Sequence, residues 1–237
     1  VTNDAGACGA TVSYTVPTVT DNCPPASIFL QSGVGEGLFF PVGTGVELYH
    51  ASDSAGNTAQ CSFNVVVSDA EAPVVSCPGN INTPNDLNQC NGIVTYATPS
   101  ANDNCAVSAV QQISGFGSGV AFPVGVSTET WEAVDFDGNA GQCSFTVTVQ
   151  DLELPTITCP LSTSVANDPG QCGAVVSYAA PVAADNCVTV NIAQTQGIGS
   201  SNFFPIGVTT EEFTVTDNSG NFARCSFTVT VAESEDP

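Results

Sequence analysis

The chain has 237 residues, and its one Lys/Arg-type residue, Arg224, stands against 23 acids for a formal net charge of −22. That balance removes the basic footprint that nucleic acid or an anionic membrane surface requires, and leaves cations or solubility as reasons for the charge. No apolar run approaches the length of a bilayer-spanning helix. Eleven cysteines, none in a CxxC pair, read as disulfides formed in an oxidising compartment, so the chain is expected to be secreted. It starts at Val1 in mid-pattern and contains no methionine, which reads as a mature or excerpted segment.

Self-similarity organises the rest. Cys8, Cys90 and Cys172 are 82 residues apart, as are Cys23, Cys105 and Cys187, and again Cys61, Cys143 and Cys225. Cys77 and Cys159 form a fourth class, and the same step relates Pro73, Pro155 and Pro237. The chain therefore divides into three repeats, 1–69, 70–151 and 152–237, the first without the start of its first strand. In chain order within the third repeat, "PTITCP" (155–160) is extended, and "CGAVVSYAAP" (172–181) alternates and stops at a proline. "CVTVNIAQ" (187–194) alternates again, and "TTEEFTVTD" (209–217) and "ARCSFTVTV" (223–231) flank the turn "NSGN" as a hairpin. Short Val/Thr strands with frequent turn signals predict an all-β chain of three immunoglobulin-like β-sandwich modules arranged end to end. The aromatic column Tyr49, Trp131 and Phe213 is assigned to the cores.

The order "DNC", "FPVG", "DxxGN", "CSFTVTV", acidic linker and "CP", met three times, resembles the hyalin repeat (HYR) module. The resemblance implies an immunoglobulin-like sandwich in extracellular proteins of adhesion and matrix, with no catalytic site. Four cysteines per repeat allow three connectivities. If seven strands run alternately up and down, the cysteines early in the first and last strands meet, so Cys77 is expected with Cys143 and Cys159 with Cys225. This is the "CP" and "CSF" pair that the family keeps. The remaining expectation is Cys8–Cys23, Cys90–Cys105 and Cys172–Cys187, with Cys61 unpaired within the chain.

The same strand order brings acids to the module joints. The first joint would gather Glu47, Asp69, Glu71, Asp103, Asp135 and Asp137, with Asn104 and Asn139; the second, Glu129, Asp151, Glu153, Asp185 and Asp217, with Asn186 and Asn218. Like charges about 6 Å apart repel by roughly 3 kcal/mol per pair at an effective dielectric near 20. A hard cation with six to eight oxygen ligands reverses that sign, which makes Ca²⁺ the expected ligand. The competing reading is that these acids are solvated turn residues serving solubility.

His50 is the only histidine, which leaves no Ser-His-Asp set and no histidine-based zinc site. Glu211 and Glu212 point to opposite faces of a strand and cannot share a glycosidic substrate. The chain is read as a non-enzyme: a structural, adhesive segment of a long extracellular cell-surface fibre or giant adhesin. Its partners would be neighbouring repeats and an adhesion target, with no nucleic acid and no membrane insertion. Two alternatives stand beside it. One is a subunit of a polymeric filament completed by a neighbouring molecule. The other is a carbohydrate- or protein-binding module, for which the loop aromatics Phe116 and Phe136 are the only candidates.

Overall fold

The computed structural model describes residues 1–235, so Pro237 of the proline class lies outside the described residues. The described residues form β-strands, turns and loops with no helix, as the alternating Val/Thr runs require. Repeat 1 contains β1 (Gly9–Val12), β2 (Ala26–Ser32), β3 (Leu38–Pro41), β4 (Gly43–Asp53) and β5 (Thr58–Val67). Repeat 2 contains β6 (Val74–Ser76), β7 (Ile81–Pro84), β8 (Asn91–Val94), β9 (Ser100–Asn102), β10 (Val107–Ser114), β11 (Val120–Pro123), β12 (Gly125–Asp135) and β13 (Ala140–Gln150). Repeat 3 repeats that series as β14 (Thr156–Thr158), β15 (Thr163–Ala166), β16 (Gly173–Val176), β17 (Val182–Ala184), β18 (Val190–Gln196), β19 (Asn202–Pro205), β20 (Gly207–Asp217) and β21 (Phe222–Ala232).

In repeat 3 one face is the four-stranded sheet β15-β21-β20-β18, and the pairs β16-β19 and β14-β17 form the other. The first short strand pairs antiparallel with β17, and the chain then crosses so that β15 runs parallel to β21. The crossover lies at Cys159-Pro160, where proline ends one pairing by removing its donor. Between the two faces sit Ala174, Val176, Phe204, Phe213, Phe227, Val229 and Val231. Repeat 1 builds the same core from Ala10, Val12, Phe40, Val65 and Val67. Alternation decides which aromatic is inside: in the Phe-Phe-Pro or Ala-Phe-Pro end of β3, β11 and β19, Phe40, Phe122 and Phe204 are fully buried, whereas Phe39 and Phe203 lie on the surface. Tyr49 and Phe213 are core residues as expected, and Trp131 is half-buried.

The chain divides into two compact units, one of residues 1–79, 96–117 and 128–145 and the other of 80–95, 118–127 and 146–237. Each unit contains one junction between successive repeats, and the cysteines there correct the expected pairing. Cys77–Cys143 and Cys159–Cys225 join the first strand of a repeat to its last. The expected Cys8–Cys23, Cys90–Cys105 and Cys172–Cys187 do not form. Cys8 bonds Cys105 and Cys90 bonds Cys187, each across a junction, with Cα–Cα distances of 4.7 and 4.8 Å. Cys23, Cys61 and Cys172 are exposed thiols. The reason is positional: the loop before Cys8 or Cys90 lies at the end of its repeat, beside the linker, and faces the Asp-Asn-Cys turn of the next repeat.

Candidate cation site at the repeat joints

Each joint is built from three local devices. The first ties the linker to the repeat it leaves. Asn3 Oδ1 accepts from the Ala70 amide at 3.0 Å, and the Glu71 carboxylate accepts from the Gly6 amide at 2.8 Å. At the second joint Asn85 Oδ1 accepts from the Leu152 amide at 3.2 Å, and Glu153 accepts from the Asn88 amide at 2.6 Å and Asn85 Nδ2 at 3.1 Å. The second device is the Asp-Asn-Cys turn of the following repeat. Asp103 Oδ2 accepts from the Cys105 amide at 3.0 Å, and Asp185 Oδ2 from the Cys187 amide at 2.9 Å. Such side-chain-to-backbone bonds two residues on are the ordinary Asx turn.

The third device joins the two. Asn104 Nδ2 donates to the Ala7 carbonyl and to Asp69 Oδ1, both at 3.1 Å; Asn186 Nδ2 donates to the Gln89 carbonyl at 3.0 Å and to Asp151 Oδ1 at 3.3 Å. Asn139 and Asn221 reach from the hairpin turn to the linker carbonyls of Asp69 and Asp151, at 3.2 and 3.1 Å. Asn221, 82 residues after Asn139, makes this bond at the second joint in place of the expected Asn218, which is exposed in the turn.

With those donors spent, the same three oxygens remain at each joint. Asp69 Oδ2, Asp103 Oδ1 and Asn104 Oδ1 are buried without a hydrogen-bond partner, and so are Asp151 Oδ2, Asp185 Oδ1 and Asn186 Oδ1. Asp69 and Asp151 are only 6% and 4% exposed. A buried polar atom left unpaired costs about 1–3 kcal/mol, more when charged, so six such atoms in two matching sets call for a partner. One oxygen from each of Asp69, Asp103 and Asp135 lies within 4.8 Å of the others. At the second joint Asp151 and Asp185 approach in the same way, beside the sulfur of Cys187, which is bonded to Cys90 and offers no thiolate. Carboxylate and amide oxygens, with no nitrogen or free sulfur, fit a hard divalent cation of the Ca²⁺ type.

Other expected ligands also accept from donors of their own turns and loops. Asp135 is held by its own turn: the Gly138 amide and the Asn139 amide and side chain all donate to it. Burial pushes its pKa up, but the Asn139 and Gly138 donors outweigh burial and hold it below the ordinary carboxylate value. Asp217 likewise accepts from the Ser219 amide and from the amide and side chain of Asn221. Asp137 is exposed in the turn. Glu71 and Glu153 hold loop amides, as described above.

Glu47, Glu129 and Glu211 are not at the joints at all. All three are fully buried inside their own repeats. Glu129 accepts from the Tyr96 hydroxyl and Gln112 Nε2 at 2.7 Å and from the Phe116 and Gly117 amides at 2.8 and 3.0 Å. Glu47 and Glu211 make the equivalent bonds with Tyr14, Val34 and Gly35 and with Tyr178, Ile198 and Gly199. Each carboxylate pins a Gly-x-Gly loop to the core, and a Cβ on Gly115 would collide with Glu129 Oε1. The missed signal was strand parity: Glu47 shares the inward phase of Tyr49 and Ala51.

Fold and joints together define an array of disulfide-linked β-sandwich repeats with acidic, oxygen-lined junctions. The chain belongs to the HYR domain family, which matches residues 2–67, 68–149 and 150–231. It is 35% identical over 236 residues to a hyalin of Strongylocentrotus purpuratus, covering 96% of this chain and 19% of that protein. It is 31% identical over 237 residues to a hyalin of Lytechinus variegatus, covering 97% of this chain and 44% of that protein. The chain thus spans less than half the length of these relatives. Among solved structures it is similar to Drosophila N-cadherin EC1-3, at a TM-score of 0.37 and 13% identity over 99% of this chain and 97% of that one.

Proposed function

We propose that the chain is a structural, load-bearing segment of an extracellular hyalin-like protein, serving adhesion by holding other parts of its protein at a distance. Each joint between repeats is closed twice, once by a disulfide and once by Ca²⁺. The observation that carries this is the recurrence, at the same place in both joints, of an inter-repeat disulfide beside three buried, partnerless oxygens. An oxidising, extracellular setting agrees with four disulfides, and the family membership agrees with a non-catalytic module. The partners of such a segment are its flanking repeats and, through the rest of its protein, an adhesion target.

Thermal unfolding of the oxidised chain in Ca²⁺ and in EDTA tests the metal. A cation at 100 times its dissociation constant stabilises by about 2.7 kcal/mol per site. That shifts Tm by roughly 5–10 °C for a cooperative unit of this size. Asp151→Asn with Asp185→Asn should remove the second joint's share of that rise. An unchanged Tm at millimolar Ca²⁺ would overturn the calcium reading.

A further inference from the structure

The two joints share their hydrogen bonds and their oxygens but not their surfaces. At the first joint, exposed alanines stand in the loop before Cys8 (Ala5), in the linker (Ala70 and Ala72) and just after the Asp-Asn-Cys turn (Ala106). The residues 82 positions on, at the second joint, are Leu87, Leu152, Leu154 and Val188, each between 60% and 89% exposed. All four positions thus carry a small side chain at one joint and a large aliphatic one at the other. The adjoining hairpin shows no such bias: Phe222 stands where the first joint has Ala140, but Asn218 stands where it has Phe136.

The four large residues belong to three segments that are stitched together. Asn85 accepts from the Leu152 amide, Glu153 accepts from the Asn88 amide, Asn186 donates to the Gln89 carbonyl and to Asp151, and Cys90 is bonded to Cys187. Each of the four is itself in one of these links or next to a residue that is. A single exposed leucine is ordinary, but several gathered at one place mark an interaction surface. Leu154 also borders an open pocket of about 290 Å³, lined as well by Asn88, Glu153, Asp185 and Asn186. The equivalent pocket of the first joint has Ala72 in that position.

We propose that the second joint is a docking surface for an extended segment of another extracellular protein that carries aliphatic and basic side chains together. The aliphatic groups cover Leu87, Leu152, Leu154 and Val188. A lysine or arginine enters the pocket with its stem along Leu154 and its charge toward Glu153 and Asp185. Charge decides against two other occupants. A second copy would bring the same net charge of −22 with a single Lys/Arg-type residue, and an anionic membrane is repelled in the same way. Two bound divalent cations would still leave the chain strongly acidic, so the preference for a basic partner holds with both joints filled.

The probe is a fluorescein-labelled hexapeptide of alternating leucine and lysine, titrated with the oxidised chain in millimolar Ca²⁺ at physiological ionic strength and read by anisotropy. Leu152→Ala with Leu154→Ala gives the linker the residues of the first joint, so this variant should keep its Tm and its Cys90–Cys187 bridge. It should bind the peptide at least about tenfold more weakly. Leu87→Ala with Val188→Ala, which changes the loop and the turn instead of the linker, should weaken binding in the same direction. A serine–lysine hexapeptide should bind parent and variants weakly and equally. No binding by the parent, or equal binding by parent and both variants, would overturn the proposal. So would leucine-dependent self-association, or leucine-dependent binding to neutral phosphatidylcholine vesicles, in place of peptide binding.

Discussion

Pulling the oxidised chain by its two ends should stop far short of the length of the polypeptide. The bridges Cys8–Cys105 and Cys90–Cys187 overlap in sequence, since residue 90 lies before residue 105. The shortest covalent route therefore enters at Val1, crosses at Cys8 to Cys105 and returns along the backbone to Cys90. It then crosses to Cys187, returns to Cys159 and crosses to Cys225 before the end at 237. Backbone links on that route number seven, fifteen, twenty-eight and twelve, about a quarter of the 236 in the chain. At roughly 3.5 Å per extended residue the limit is about 220 Å, plus three bridges, against about 830 Å for the reduced chain. Single-molecule force spectroscopy, with and without a reducing agent, reads both lengths. With the intra-repeat pairing Cys8–Cys23, Cys90–Cys105 and Cys172–Cys187, no bridge would cross a joint, and the shortest route would run through seven, fifty-four, sixteen and twelve links, to about 310 Å plus three bridges. An oxidised extension well beyond the short limit would refute the cross-joint ladder and the load-bearing role built on it.

Four further outcomes follow from the same geometry. Alkylation under non-reducing conditions should label three thiols, Cys23, Cys61 and Cys172; labelling of Cys61 alone would restore the intra-repeat pairing. Glu129→Gln turns an amide NH₂ toward one of four buried donors and loses a charge-assisted bond, so chemical denaturation should show a loss of about 3 kcal/mol, and a loss under 1 would deny the pin its role. Gly115→Ala should be at least as damaging, because its φ of +110° is strained for alanine and the Cβ would meet the Glu129 carboxylate; native-like stability would contradict that packing. Burial, followed by hydrogen bonds to nearby groups including Glu47, Glu129 and Glu211, raises the pKa of Tyr14, Tyr96 and Tyr178. A raised folded pKa gives stability that is complete below the ordinary phenol value near 10 and is lost as pH rises beyond it. Tyrosinate absorbance of the native chain should therefore lag a free phenol and rise together with unfolding, and free titration near pH 10 would count against it.

Much of this molecule is legible in its sequence because the repeat supplies an internal comparison. Val/Thr alternation gave the strands, the Asn-Gly-type turns gave the hairpins, and the cysteines early in the first and last strands of a repeat lie where those strands meet. The acids of the joints were legible as a cluster. Their division into ligands and anchors was not, because it depends on where the donors are. Glu71 and Asp69 are two residues apart in one linker, yet the first is consumed by the Gly6 amide and the second keeps a buried oxygen free.

Composition and spacing by themselves determined an all-β, disulfide-bearing array of 82-residue repeats, since strand-forming segments and oxidisable cysteines recur at that period, and the order of the motifs supplied the resemblance to the HYR module. Tertiary structure alone decided how the repeats are joined. Partners 97 residues apart, less one period, are 15 apart, so a bridge within a repeat and a bridge to the next repeat look the same in a perfectly periodic sequence. Only the distance in space, 4.7 Å between Cys8 and Cys105, tells them apart. Glu129 follows the same logic: its chemistry suggests a surface ligand, but the inward phase of its strand and four converging donors place it in the core.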